Sequence, residues 1–128
     1  MLWWLDVLTT LISAATVGFA VVGLLAPARL VPPGTSPAPA APAGGAPLPV
    51  GTRYYAAMYA VRAIPLGVAT ALAPWLAGPG WATIALFAVG AAAQLGDLLI
   101  GAAHRQWGQV AGPALATLVF AAAAFASA

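Results

Sequence analysis

Few side chains in this 128-residue protein can do chemistry: four arginines, two aspartates and one histidine, with no lysine and no cysteine. The missing cysteines exclude a disulfide framework, a zinc–thiolate site and a thiol nucleophile. Asp97 is followed seven residues later by His104, and a carboxylate with a nearby imidazole is acid–base equipment. Arg62 is the counter-charge that could fix such a carboxylate. Gln94, Tyr55 and Tyr59 add neutral donors and acceptors.

The spacing of these residues is regular. Gly90, Gln94, Asp97, Gly101 and His104 follow a 4-3-4-3 rhythm, which places them in one stripe if the segment is helical. Tyr55, Tyr59 and Arg62 repeat the rhythm, as do Asp6, Thr10, Ser13 and Val17; Gln109, Gly112 and Thr117 supply a fourth polar face. One histidine and two distant aspartates lack metal-ligand spacing, so no metal is expected. Phosphate-loop, nucleotide and nucleophile motifs are absent, and no cofactor is expected.

The elements that hold these stripes follow from composition. The chain is 63% hydrophobic and 5% charged with a mean hydropathy of +0.99, where a soluble domain carries about 25% charged residues. That excludes a soluble enzyme and a disordered tail. The pI near 9.7 does not make a nucleic-acid binder, because four dispersed arginines form no basic stripe. The surroundings are lipid.

Crossing about 30 Å of hydrocarbon takes about 20 helical residues. Four runs qualify: 3–26, 54–76, 81–102 and 108–128. Each is far longer than the roughly 10 alternating residues of a barrel strand. The fold class is therefore an all-α integral membrane protein, a single domain built as an antiparallel up-down bundle of four transmembrane helices. Trp3, Trp4, Trp75, Trp81 and Trp107 fall at span ends, where an interfacial aromatic belt belongs. The first span is read as retained, since it has no early positive charge and its apolar run exceeds a signal-peptide core. Between the first two spans, 27–52 is rich in Pro, Ala and Gly, with eight prolines from Pro27 to Pro49. It reads as a flexible, partly polyproline loop.

Orientation follows from the arginines. Arg29, Arg53 and Arg105 lie in loops on one side, while the turn Ala77–Gly80 and both termini carry none. The positive-inside rule puts the arginine loops in the cytoplasm and the termini outside a cell membrane. Arg62, nine residues beyond Arg53, then sits about 13 Å below the cytoplasmic boundary. Asp97 lies at a matching depth on the antiparallel third span, so the two should form the central ion pair of the bundle. A charge alone at a span centre costs about 2.5–3.5 kcal/mol.

Two uses of the polar stripes remain open. The groups could satisfy one another and glue the helices together. Alternatively, Tyr55, Tyr59, Arg62, Gln94, Asp97 and His104 could line a pocket near the cytoplasmic leaflet, with Asp97, Arg62 and His104 as candidate catalytic groups.

The run Tyr55-Ala-Ala-Met-Tyr59-Ala-Val-Arg62-Ala-Ile-Pro-Leu-Gly67, together with Gln94-Leu-Gly-Asp97, resembles the four-span proteins of the domain of unknown function 4267 family, in the neighbourhood of DoxX-like membrane proteins. Arg62, Gly67 and Asp97 match that family's arginine-before-glycine in span two and its late aspartate in span three. Members often carry an acid directly after the arginine, where this chain has Ala63. The resemblance implies a four-helix fold and brings no activity with it.

Three functions compete. The first is a non-enzymatic bundle that binds a lipid-like or apolar small molecule, or serves as an accessory subunit to a membrane-protein partner or to further copies of itself. The second is an integral-membrane isomerase or cyclase using Asp97 and Arg62 on an apolar substrate. The third, a transporter protomer, is weakest, because four spans enclose no through-path alone.

Overall fold

The computed structural model describes residues 2–30 and 50–128. Four helices account for nearly all of them: α1 Trp3–Leu25, α2 Val50–Leu76, α3 Trp81–Ala103 and α4 Trp107–Ala126, with a short 3-10 turn at Pro27–Leu30. The described residues contain no strand. All four helices are long and apolar enough to cross a membrane, and at about 1.5 Å per residue each covers about 30 Å or more. The chain is a multi-pass membrane protein.

Helix α2 begins at Val50, four residues ahead of the apolar run that announces it. Apolar patterning reads where lipid begins, whereas helical hydrogen bonding continues into the polar residues beyond. Of the expected loop 27–52, Pro27–Leu30 turns and Val50–Thr52 belong to α2. The expectation for 31–49 lies outside the described residues.

Cross-helix contacts run in opposite directions along each neighbouring pair, which makes the bundle antiparallel. On α1 and α2, Thr10 bonds Ala71, Ser13 meets Thr70, and Phe19 meets Tyr59. From α2 to α3, Arg62 reaches Asp97. On α3 and α4, Phe87 stacks with Phe120 at 6.2 Å, and Gly101 lies against Val110.

The four helices associate as two tight pairs, α1 with α2 and α3 with α4, which touch each other less closely. Small residues permit the first pair. A Cβ on Gly67 would sit 2.6 Å from Val17 Cγ2 and 3.3 Å from the Ser13 carbonyl, so only glycine allows that approach. Ala20, Ala60 and Ala63 continue the seam. The pairs are joined at the end carrying both chain termini, where Leu5 of α1 enters a cluster with Phe87, Ala116, Val119, Phe120 and Ala123. The Trp3, Trp4, Trp75, Trp81 and Trp107 rings are exposed at helix ends.

The two short turns differ in chemistry. Between α2 and α3, Gly78 takes φ +66° and its carbonyl accepts the Thr83 hydroxyl at 2.6 Å. Between α3 and α4 the left-handed position is Arg105, φ +56°. Its N–H donates to the Ala102 carbonyl at 3.0 Å and that of Gln106 to the Gly101 carbonyl at 2.9 Å. This is the Schellman pattern, in which glycine normally holds the left-handed place.

Candidate functional site

Helix α3 supplies the site's floor. Gln94 and Asp97 are three residues apart and therefore neighbours on one helical face. Asp97 Oδ1 lies 3.5 Å from Arg62 Nη2 of α2. The Arg62 guanidinium is also 5.9 Å from the centre of the Tyr59 ring, whose edge packs on Phe19 of α1 at 6.3 Å. The aromatic face attracts the cation and limits where the arginine can go. Phe19 and Tyr59 thus link α1 to the charge pair through α2.

The pair forms, but not at the centre of the bundle. The Arg62 side chain is 61% exposed and that of Asp97 26%. The inward face of α2 is taken by Ala60, Ala63, Gly67 and Thr70, all buried. Arg62 therefore stands at the α2–α3 seam and points Asp97's partner charge inward from the edge. Tyr55, seven residues before Arg62, shares that outward face. It is 71% exposed, rests on Tyr54 and lines neither cavity described below. The 4-3 rhythm aligned Tyr55 with Arg62 correctly, and both face outward.

Two cavities meet at Gln94 and Asp97. The inner one, about 20 Å³, has room for about one water and is walled by Ser13, Thr70, Arg62, Gln94 and Asp97 among others. The outer one, about 750 Å³, opens where α1 and α4 part in the half of the bundle nearest the arginine loops. One wall is α1, with Ile12, Ala15 and Phe19; the facing wall is α4, with Gly112, Leu115 and Ala116. Thr52, His104 and Gln106 rim its loop end, and Gln94, Asp97 and Tyr59 form its inner corner. A largely apolar cleft of this size with a few convergent polar groups has the make-up of a small-molecule site.

Gln94 stands out within that corner. It is only 9% exposed, faces both cavities, and has no hydrogen-bond partner among the described residues. His104, by contrast, is exposed at the cleft rim and forms the C-cap of α3. Seven residues separate it from Asp97, about 10 Å along the helix, so no proton passes directly between them. Among the described residues no three His, Cys, Asp or Glu side chains gather to hold a metal ion.

The other end of the interior is a hydrogen-bonded seam. Thr70 donates to the Leu66 carbonyl at 2.9 Å, so Ser13, 2.9 Å away, donates to Thr70. Trp75 Nε1 donates to the Thr10 hydroxyl at 2.8 Å, and Thr10 donates to the Asp6 carbonyl at 2.8 Å. Asp6 Oδ1 is buried with no hydrogen-bond partner among the described residues. Sequence reasoning singled out Thr10 and Ser13, and Trp75 only as an interfacial ring, but not Thr70 or Phe19. Thr70 lies three, seven and eleven residues beyond Gly67, Ala63 and Tyr59, on the same helical face, and that periodicity was the available signal.

Comparison with models of known families, with curated proteins and with solved structures finds no match for this chain.

Proposed function

We propose that this protein binds a lipid-like or apolar small molecule, taken from the bilayer through the gap between α1 and α4. The cleft carries this reading: about 750 Å³ of space lined mostly by Ala, Gly, Leu, Ile and Phe, ending in a polar corner. A helix bundle selected only for packing would bring α1 and α4 together, as it does at the other end.

The test is occupancy. Purified in gentle detergent, the wild-type chain should carry a co-extracted small amphiphile, read by native mass spectrometry. Gly112→Leu should lose it, because Gly112 lines the cleft and has no neighbour within 4 Å of an added Cβ. A wild-type chain without any bound molecule, or a Gly112→Leu chain that still carries it, would overturn the reading.

A second reading, an isomerase or cyclase acting on the same apolar molecule, is supported by Asp97 reaching the cleft with Arg62 beside it. Asp97→Asn separates the two, since a binding protein keeps its ligand and an enzyme loses turnover. An accessory subunit would instead fill the cleft with a partner's helix, or with one from a second copy, and purify as that complex. Membership in the domain of unknown function 4267 family is likewise a proposal, resting on Arg62, Gly67 and Asp97. Placement in the cell membrane with termini outside rests on the three loop arginines. An impermeant thiol reagent on intact cells should label a cysteine at Gly78 and spare one at Ser36.

A further inference from the structure

We infer that the molecule held in the cleft carries a neutral head group able both to donate and to accept hydrogen bonds, a hydroxyl above all, and that this head sits on Gln94. The inference rests on the binding reading above and adds the chemistry of the ligand. Three observations carry it.

The first is Gln94 itself. As a residue Gln94 is only 9% exposed, and that exposure opens onto the two cavities; a carboxamide so enclosed ordinarily makes hydrogen bonds. This one has no partner among the described residues, yet it faces both cavities. It is aimed at open space that something must fill. A carboxamide offers two donors and one acceptor oxygen, so its complement is a group with both capacities.

The second is charge. The other polar groups lining the corner are Tyr59 and Asp97, and the Asp97 carboxylate already holds a counter-charge, Arg62 at 3.5 Å, which lines the inner cavity and not the cleft. The ion pair sums to zero. An anionic head entering from the cleft would meet the Asp97 carboxylate, and a cationic head would have to compete with Arg62, which already neutralises that carboxylate. A neutral hydroxyl can donate to Asp97 and accept from Gln94 without displacing Arg62.

The third is the gradient along the cleft. Ile12, Ala15, Phe19 and Leu115 are apolar, while the corner is polar. An alcohol with a hydrocarbon tail matches both ends.

The experiment compares four molecules with the same tail: dodecanol, dodecane, dodecyl phosphate and dodecylamine. Each is titrated onto the full-length chain in phosphatidylcholine nanodiscs and its saturable binding measured. Dodecanol should bind about tenfold more tightly than the other three, the loss expected for a missing or mismatched hydrogen bond in a dry site. Gln94→Met, which keeps an unbranched side chain and removes both donor and acceptor, should bring dodecanol down to the level of dodecane. It should leave dodecane binding unchanged.

Equal binding of dodecyl phosphate or dodecylamine and dodecanol would overturn the neutral head. Undiminished dodecanol binding by a folded Gln94→Met chain would mean that Gln94 is merely hydrated, and would also overturn the inference. In both cases abolition of binding by Gly112→Leu would leave the cleft itself standing. If none of the four molecules binds the wild-type chain, or Gly112→Leu changes nothing, the binding reading fails and takes this inference with it. The head-group series uses the wild-type chain alone, so it decides the matter even if Gln94→Met does not fold.

Discussion

At the terminal end of the bundle Leu5, Phe87 and Phe120 close the space between the two helix pairs, whereas at the loop end α1 and α4 stand apart around a cleft of about 750 Å³. Apart from Asp6 Oδ1, which is buried without a partner among the described residues, the polar groups follow the same division. Ser13, Thr70, Thr10 and Trp75 bond one another or nearby carbonyls in the closed half. Gln94, in the open half, bonds nothing among the described residues. Lipid tails are as apolar as leucine side chains, so spanning helices associate through close packing and hydrogen bonds rather than through escape from water. The closed half has both of these and holds the bundle together. Among the described residues the open half has neither between α1 and α4, and that gap is where the proposed ligand would sit.

The sharpest way to break this contrast is to remove one phenylalanine from each half. Phe87 is fully buried and stacked on Phe120. Phe87→Ala should cost about 3 kcal/mol, the low end for buried phenylalanines in soluble cores, because only packing and no transfer from water is lost. Phe19 is half-exposed on the cleft wall, and Phe19→Ala should cost less than about 1 kcal/mol. Equilibrium unfolding in mixed micelles measures both. Equal costs would mean that the halves do not differ as described.

The turns extend the contrast to the two ends. Gly78 and Arg105 both hold left-handed backbone, φ +66° and +56°. A side chain costs about 1–2 kcal/mol in that conformation relative to glycine. Gly78→Ala should therefore destabilise by about 1 kcal/mol, and Arg105→Gly should stabilise by a similar amount. Arg105 would be kept, in spite of that cost, for its charge on the loop side. The Arg105→Gly chain should accordingly show more molecules inserted in the opposite orientation when cysteine accessibility is scored. Greater stability with unchanged orientation would leave the arginine unexplained.

The pattern of what the sequence revealed is itself physical. Four spans were legible because the cost of polar groups in lipid enforces long apolar runs. Arg62 and Asp97 could be paired by depth, since rise per residue is fixed and the helices alternate in direction. That they meet at an edge was not legible. It depends on α2 burying its Ala60, Ala63 and Gly67 side against α1, and a periodic stripe does not say which neighbour it faces. A pocket holding Tyr59, Gln94, Asp97 and His104 was legible, but its opening between α1 and α4 was not: that arises from unequal pairing among helices, and nothing local in α1 or α4 records their separation. Tyr55 shares a stripe with Tyr59 and Arg62, yet only those two reach a cavity while Tyr55 stays exposed, a difference along one stripe that spacing alone does not record.

The edge position of Arg62 sharpens the expectation for the ion pair. Arg62→Met, Asp97→Leu and the double substitution should give a coupling of about 1 kcal/mol, since contacting sites couple and distant ones add to within a few tenths. Asp97→Leu should be the worse single change, for it leaves a guanidinium at the seam facing lipid with no counter-charge. Additive costs would show that the 3.5 Å approach carries no energy.

The smallest expected effect discriminates best between a satisfied and an unsatisfied interior. Ser13 donates to Thr70 across the α1–α2 seam, and both are buried. Interhelical hydrogen bonds of this kind average about 0.6 kcal/mol in a bilayer protein, so Ser13→Ala should destabilise by about that much. Its counterpart in the open half is Gln94→Met. With no hydrogen bond to another described residue to lose, that change should cost close to nothing in the ligand-free protein. Such a difference between two buried polar side chains follows if one completes a network and the other faces open space. A loss for Gln94→Met as large as that for Ser13→Ala would make Gln94 another piece of the seam, and the two halves of the interior would then differ in shape but not in chemistry.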